Sequence, residues 1–259
     1  MLPTLETVLR HDRIVATVAL AIVTASSWAY LLAGAGTMQQ MDGMLMPMRS
    51  GPWSLDQAMV MLAMWIVMMV AMMLPSAAPM LLLHVAIARR RADSVAPLAG
   101  TRACGAFAGG YVAIWTLFSI AAVALQFLLE RAALLSPMMT ITSVTLSAGV
   151  LIAAGAYQLT TFKQACLQRC RTPLDFVLTH WRPGTRGAFV MGLQHGLYCF
   201  GCCWLLMLLL FVGGVMNLLW IGALALFVLL EKLLPGGRWM GRIAGLGLIG
   251  WGAAALWAA

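Results

Sequence analysis

From Gln57 to Leu83 the chain reads QAMVMLAMWIVMMVAMMLPSAAPMLLL, 27 residues without one charged side chain. A helix of that length rises about 40 Å, more than the roughly 30 Å of a bilayer's hydrocarbon core. The rest of the chain agrees with this stretch. Of 259 residues, 63% are hydrophobic and 9% charged, and mean hydropathy is +0.93. Soluble domains carry roughly 25% charged residues, so these side chains cannot cover a globule with polar groups. A soluble enzyme, a disordered tail and a secreted disulfide scaffold are excluded. The expectation is an all-α, polytopic membrane helix bundle.

Working outward from that run, the sequence predicts about seven transmembrane helices in one domain over residues 1–259, at about 14–34, 57–83, 106–129, 138–160, 188–212, 216–234 and 243–259. A signal peptide is the rival for the first, but its apolar core would be only about 7–15 residues and its flank would lack acids. Seven spans with a cytoplasmic N-terminus put Arg10, Arg13, Arg89, Arg90, Arg91, Arg102, Lys163, Arg169, Arg171, Arg182, Arg186, Lys232, Arg238 and Arg242 inside, and only Arg49 and Arg131 outside. That asymmetry follows the positive-inside rule. The net charge of +8 is then topology and contact with anionic membrane lipids, and nucleic acid is not expected as a partner.

The fifth span carries the sharpest chemistry: Met191-Gly-Leu-Gln-His195-Gly-Leu-Tyr-Cys199-Phe-Gly-Cys202-Cys203-Trp-Leu-Leu-Met207. At 3.6 residues per turn, positions four apart share a face. Met191, His195, Cys199, Cys203 and Met207 keep that spacing, and Cys202, seven after His195, joins the same stripe. Soft sulfur donors select Cu(I) or Zn, and imidazole suits both; thioethers tilt the choice to Cu(I), with Zn the alternative. One helix cannot close a site, so a further ligand is expected from another helix or a second subunit. Packing is the other reading, because cysteine is also a small apolar core residue. Cys199-Phe-Gly-Cys202 is in addition a C-x-x-C that suits thiol–disulfide exchange, and Cys202-Cys203 could form a vicinal disulfide.

Methionine is the second anomaly, with 20 residues against 9 Phe and 4 Tyr. The second span holds Met59, Met61, Met64, Met68, Met69, Met72, Met73 and Met80, which reads either as adaptable packing or as a row of soft donors. Pro75 and Pro79 predict a kink near its inner end. Met80 and His84, one turn apart beyond it, form a candidate inner ligand pair. The outer loop, Met38-Gln-Gln-Met41-Asp42-Gly-Met44-Leu-Met46-Pro-Met48, resembles a methionine cluster that collects Cu(I), Met41 and Met44 among its donors; an amphipathic interfacial segment is the alternative. In the inner loop Cys166 and Cys170 would share a helical face as a cytoplasmic acceptor site, and Thr172-Pro173 should end that helix. Cys104 is expected only to pack. Glu231 and Lys232 read as an interfacial anchor, with Lys232 snorkelling to the headgroups. Gly245, Gly247, Gly250 and Gly252 permit close helix packing in the last span. No phosphate-binding loop or serine nucleophile is present, so ATP coupling is not expected, and the chain reads as more suited to carriage than to catalysis.

Several blocks together resemble one known group: Ala71-Met-Met-Leu-Pro-Ser-Ala-Ala-Pro-Met80, Tyr157-Gln-Leu-Thr160 with Lys163 and Cys166-Leu-Gln-Arg-Cys-Arg171, His195 to Trp204, Met216-Asn-Leu-Leu-Trp220, and Glu231-Lys-Leu-Leu-Pro235. They are similar to the bacterial family described as predicted metal-binding integral membrane proteins, a domain of unknown function sometimes labelled a copper chaperone. The resemblance covers roughly residues 55–240 and implies a membrane location and a bound metal. The expectation is therefore an inner-membrane protein of a bacterium that handles Cu(I), with a metal donor or acceptor protein as partner and homo- or hetero-oligomers open. A thiol–disulfide carrier using Cys199 and Cys202, and a structural subunit of a larger membrane complex, are the alternatives.

Overall fold

The computed structural model describes residues 5–35, 38–41, 44–47, 53–91 and 99–259, and side chains over 13–35, 53–89 and 100–259. The described chain is helical apart from one hairpin. Its order is α1 (Leu5–Leu32), β1 (Met38–Met41), β2 (Met44–Pro47), α2 (Leu55–Arg91), α3 (Ala99–Arg131), α4 (Val144–Leu159), α5 (Thr161–Arg171), α6 (Pro173–His180), α7 (Gly184–Leu208), α8 (Leu210–Gly213), α9 (Leu218–Leu233) and α10 (Gly237–Trp257). The segment expected as an outer loop contains an antiparallel pair in which Met41 faces Met44 and Met38 faces Pro47. Asp42 and Met48, and the side chains of Met41 and Met44, lie outside the described residues.

Among the described residues, four helical stretches are long and apolar enough to cross a membrane: Arg13–Leu32, Leu55–Arg89, Gly100–Arg131 and Gly184–Gly213. A fifth arises if α4 and α5, bent by 65° at Thr160, count as one. Local signals account for the differences from the expected spans. The predicted 138–160 helix begins only at Val144, where Ser143 caps it by accepting from the Leu146 N–H. The residues before it form a turn pinned by the Leu135–Ile141 bridge, with Met139 at φ 55°. α4 and α9 have 16 residues each, a rise of about 24 Å. Thr160 ends α4 and its side chain caps α5, and Pro173 opens α6, as Thr172-Pro173 predicts. Where the sequence predicts a kink, α2 stays one helix that runs through Pro75 and Pro79 from Leu55 to Arg91.

Small residues set the closest approaches. A Cβ on Gly192 of α7 would overlap the Phe107 carbonyl of α3, and one on Gly110 would overlap the Phe189 carbonyl of α7. Bulkier side chains would push these two helices apart. α4 meets α10 the same way, through Gly155 against Gly245 and Gly252 against Ala148 and Ile152, whereas Gly247 and Gly250 face open space. The last-span glycines thus divide into two that pack and two that do not.

α2 lies inside the bundle. Met64, Met68, Met69, Met72 and Met73 are all buried, with Trp65 beside them. The Trp65 indole donates to Gln126 Oε1 on α3 (3.0 Å), and Gln126 Nε2 donates to Glu130 (2.9 Å) and toward Met61 Sδ (3.6 Å). Buried polar groups are costly unless paired, so this chain of bonds holds α2 and α3 in one register. Along the same helix, Met64 and Met68 face the end of α1 and the start of α9, and Met73 reaches α7.

Candidate metal centre

Cys199, Cys202 and Cys203 are each 1% exposed at the middle of α7, and four other elements close on them. Cys202 and Cys203 both turn their thiols back onto the Cys199 carbonyl at 3.0 Å, the usual refuge of a short polar side chain in a helix. From α2, Met73 Sδ stands 3.9 Å from Cys203 Sγ. From α3, the Tyr111 hydroxyl lies 3.0 Å from Cys199 Sγ and donates to the Met73 carbonyl at 3.0 Å. From α9, Lys232 Nζ donates to Cys199 Sγ (2.9 Å) and to Ser76 Oγ (3.0 Å). From α5, Cys170 lies beside Cys202. All six cysteines are free thiols.

This arrangement corrects the reading of Lys232. The residue does not snorkel; it is 6% exposed and directed into the core. Glu231 is no interfacial anchor either, for it is 1% exposed and paired with the buried Lys163 of α5. α10 closes over that pair, since a Cβ on Gly241 would collide with Glu231 Oε1. Local sequence cannot reveal this, because a Glu-Lys pair near a helix end looks like many surface anchors.

The other sequence-derived candidates divide. Cys170 lies near the thiol cluster, and Cys166, on the same helix, lies against Gly201, whose missing side chain admits its Sγ. Met207 is fully buried one turn past Cys203. His195 shares the α7 stripe but sits among rings: Tyr111 stacks on it at 5.8 Å, with Phe176 at 5.6 Å and Phe107 at 6.0 Å, and its Nδ1 has no hydrogen-bond partner among the described residues. Tyr111 therefore touches both His195 and Cys199. His84 packs between Phe107 (4.9 Å) and Trp181 (5.5 Å), also with Nδ1 unpartnered among the described residues. Met80 is buried on the same helix. Met191 Sδ accepts from the Arg182 N–H at 3.4 Å, at the far end of α7 from Met207. Cys104 is buried in the apolar core, as expected.

Sequence reasoning passed over Met73, Tyr111 and Ser76 as members of this site. Met73 was one of eight methionines with nothing to single it out, and Tyr111 stood in an apolar run without a motif.

Chemically, the cluster offers three thiols from one helix, a fourth thiol and a thioether from two others, and one ammonium. Among the described residues, no three His, Cys, Asp or Glu side chains are already arranged as a metal site. With metal–sulfur bonds of about 2.3 Å, two ligands of one ion lie roughly 4 Å apart, and the Met73–Cys203 sulfurs meet that separation at 3.9 Å.

Fold and site together define a bundle of long apolar helices around a buried sulfur cluster. The sequence pattern of the family PpoB2, described as a copper chaperone, matches residues 62–255, and the chain belongs to that family. The match spans every element of the sulfur cluster, from Met73 to Lys232. No curated protein and no solved structure matches the chain.

Proposed function

We propose that this chain is a seven-span protein of the bacterial inner membrane, N-terminus inside, that binds Cu(I) as cargo and hands it to a partner. The observation that carries the reading is the meeting of Cys199, Cys202 and Cys203 with Met73 and Cys170 in a core that water does not reach. Soft sulfur donors favour Cu(I), which is content with two or three ligands, so a preformed four-ligand cage is not needed. Zn(II), which takes four ligands in structural sites, fits less well.

Further features support passage of the ion. Met64, Met68 and Met216 line a pocket of about 120 Å³ beside the end of α1 and the start of α9. The Met72–Met73 turn follows one helical turn later. Thioethers thus lead from that pocket to the thiols, and Cys166 and Cys170 lie on the amphipathic α5 beyond. A sequence from weaker to stronger soft donors suits stepwise ligand exchange, in which each site accepts and releases. Met41 and Met44 of the hairpin would stand at the outer start of that route, and His195, Met191, Met207, Met80 and His84 along its walls.

Elemental analysis of anaerobically purified protein tests the reading. About one Cu(I) per chain or more is expected, and Cys199→Ser with Cys203→Ser should abolish it. Unchanged copper in the double variant refutes the proposal. A second reading, a thiol–disulfide carrier, draws support from the Cys170–Cys202 contact between two helices. It replaces the Cys199–Cys202 pair with one whose partners are not constrained by a single helix. It requires a dithiol–disulfide interconversion in cells, visible by alkylation shift, and no stoichiometric metal.

A further inference from the structure

We infer that the sulfur cluster is built for a monovalent soft cation held by two thiolates, with Lys232 as the fixed countercharge that makes the loaded site neutral. The inference deepens the copper reading and rests on it.

The argument is one of charge in a dry core. Among the described residues, Lys232 Nζ meets a hydroxyl and a sulfur and no carboxylate: Ser76 Oγ at 3.0 Å and Cys199 Sγ at 2.9 Å. Of the acidic residues whose side chains are described, Asp56 and Asp175 are exposed, Glu130 is half-buried against Trp53 and Gln126, and Glu231 alone is buried. Glu231 is taken by Lys163, so that pair neutralises itself. The other polar neighbours, Tyr111, Cys170, Cys202 and Cys203, are hydroxyl and thiol groups, so any opposite charge at Lys232 has to come from the sulfurs. One ammonium is left without a carboxylate at the sulfur cluster, and a buried charge without an opposite partner is strongly unfavourable.

A bound ion resolves the imbalance only at one valence. A monovalent ion exchanging two S–H protons for two metal–sulfur bonds forms a monoanionic complex, and Lys232 brings the site to zero. A divalent ion on the same two thiolates forms a neutral complex and leaves the ammonium uncompensated. Cys199, already in contact with Lys232, and Cys203, 3.9 Å from the Met73 thioether, are the two thiolates, with Met73 as a neutral third donor. Lys232 touches no metal; it acts on the ion through Cys199 as a positioning and selectivity residue.

Ag(I) and Cd(II) test this, because both are soft, redox-inert d10 ions that differ by one charge. Full-length protein in detergent is titrated with each under anaerobic competition against a small dithiol. Lys232→Met should weaken Ag(I) binding by about 100-fold, from the loss of a unit charge some 4 Å away at intermediate dielectric. Cd(II) binding should change by less than about threefold on the same grounds. Lys232→Gln, which keeps a donor for Cys199 but no charge, should behave like Lys232→Met, and Lys232→Arg should restore Ag(I) affinity to within about tenfold. These two variants keep the test valid if the Met variant folds poorly. Equal losses for both ions, or no loss for either, overturn the inference while leaving the copper reading in place. A wild-type protein that binds neither ion overturns both.

Discussion

Glu231→Met should be among the most destabilising single changes in this protein. Its carboxylate is 1% exposed and its partner Lys163 is fully buried, and the Gly241 backbone of α10 leaves no room beside Glu231 Oε1. Removing the acid strands an ammonium among α5, α9 and α10. Breaking a buried pair from one side costs about 3–5 kcal/mol. A unit-charge attraction at about 4 Å and an effective dielectric near 20 gives roughly 4 kcal/mol, which agrees. Lys163→Met should cost a similar amount by stranding the carboxylate. The double variant should recover most of the loss, since apolar replacement of a whole buried pair is often neutral or stabilising. Thermal unfolding in detergent, followed by tryptophan fluorescence, reads the difference. At about 2–4 °C per kcal/mol for a chain of this size, each single variant should melt roughly 6–20 °C lower. Single losses below about 1 kcal/mol, or a double variant whose loss equals the two singles combined, would refute the account of a dry, mutually dependent pair.

Gly192→Ala should cost about 3 kcal/mol, because its new methyl group meets the Phe107 backbone and not a movable side chain; Gly247→Ala, in open space, should stay within about 0.5 kcal/mol in the same melt. Tyr111→Phe loses the bonds to the Met73 carbonyl and Cys199. It should lower stability by about 1–3 kcal/mol and weaken copper retention in a chelator competition, and an unchanged profile in both assays would remove Tyr111 from the site. Cys104→Ala, in the apolar core and away from the cluster, should leave copper content per chain at the wild-type value by elemental analysis.

The helical class of this protein was determined by composition and by unbroken apolar runs, because these are properties of a segment alone. Punctuation was equally local: Ser143, Thr160 and the Thr172-Pro173 step end or begin helices through bonds to their own backbone neighbours. The α7 stripe was also readable, since helical period places His195, Cys199, Cys202 and Cys203 regardless of surroundings. What each residue faces was decided only when helices met. His195 keeps the spacing yet lies among aromatic rings, because α3 and α6 supply Tyr111, Phe107 and Phe176 there. Lys232 has the sequence context of an anchor yet points inward, because α9 packs on α2 and α7, which offer it Ser76 and Cys199. Cys170 reaches Cys202 because α4 and α5 bend at Thr160 and lay α5 against α7. Periodicity and capping act within a few residues of the chain. The choice of which faces touch depends on side-chain volume and charge contributed from helices distant in sequence, and no single segment carries that information.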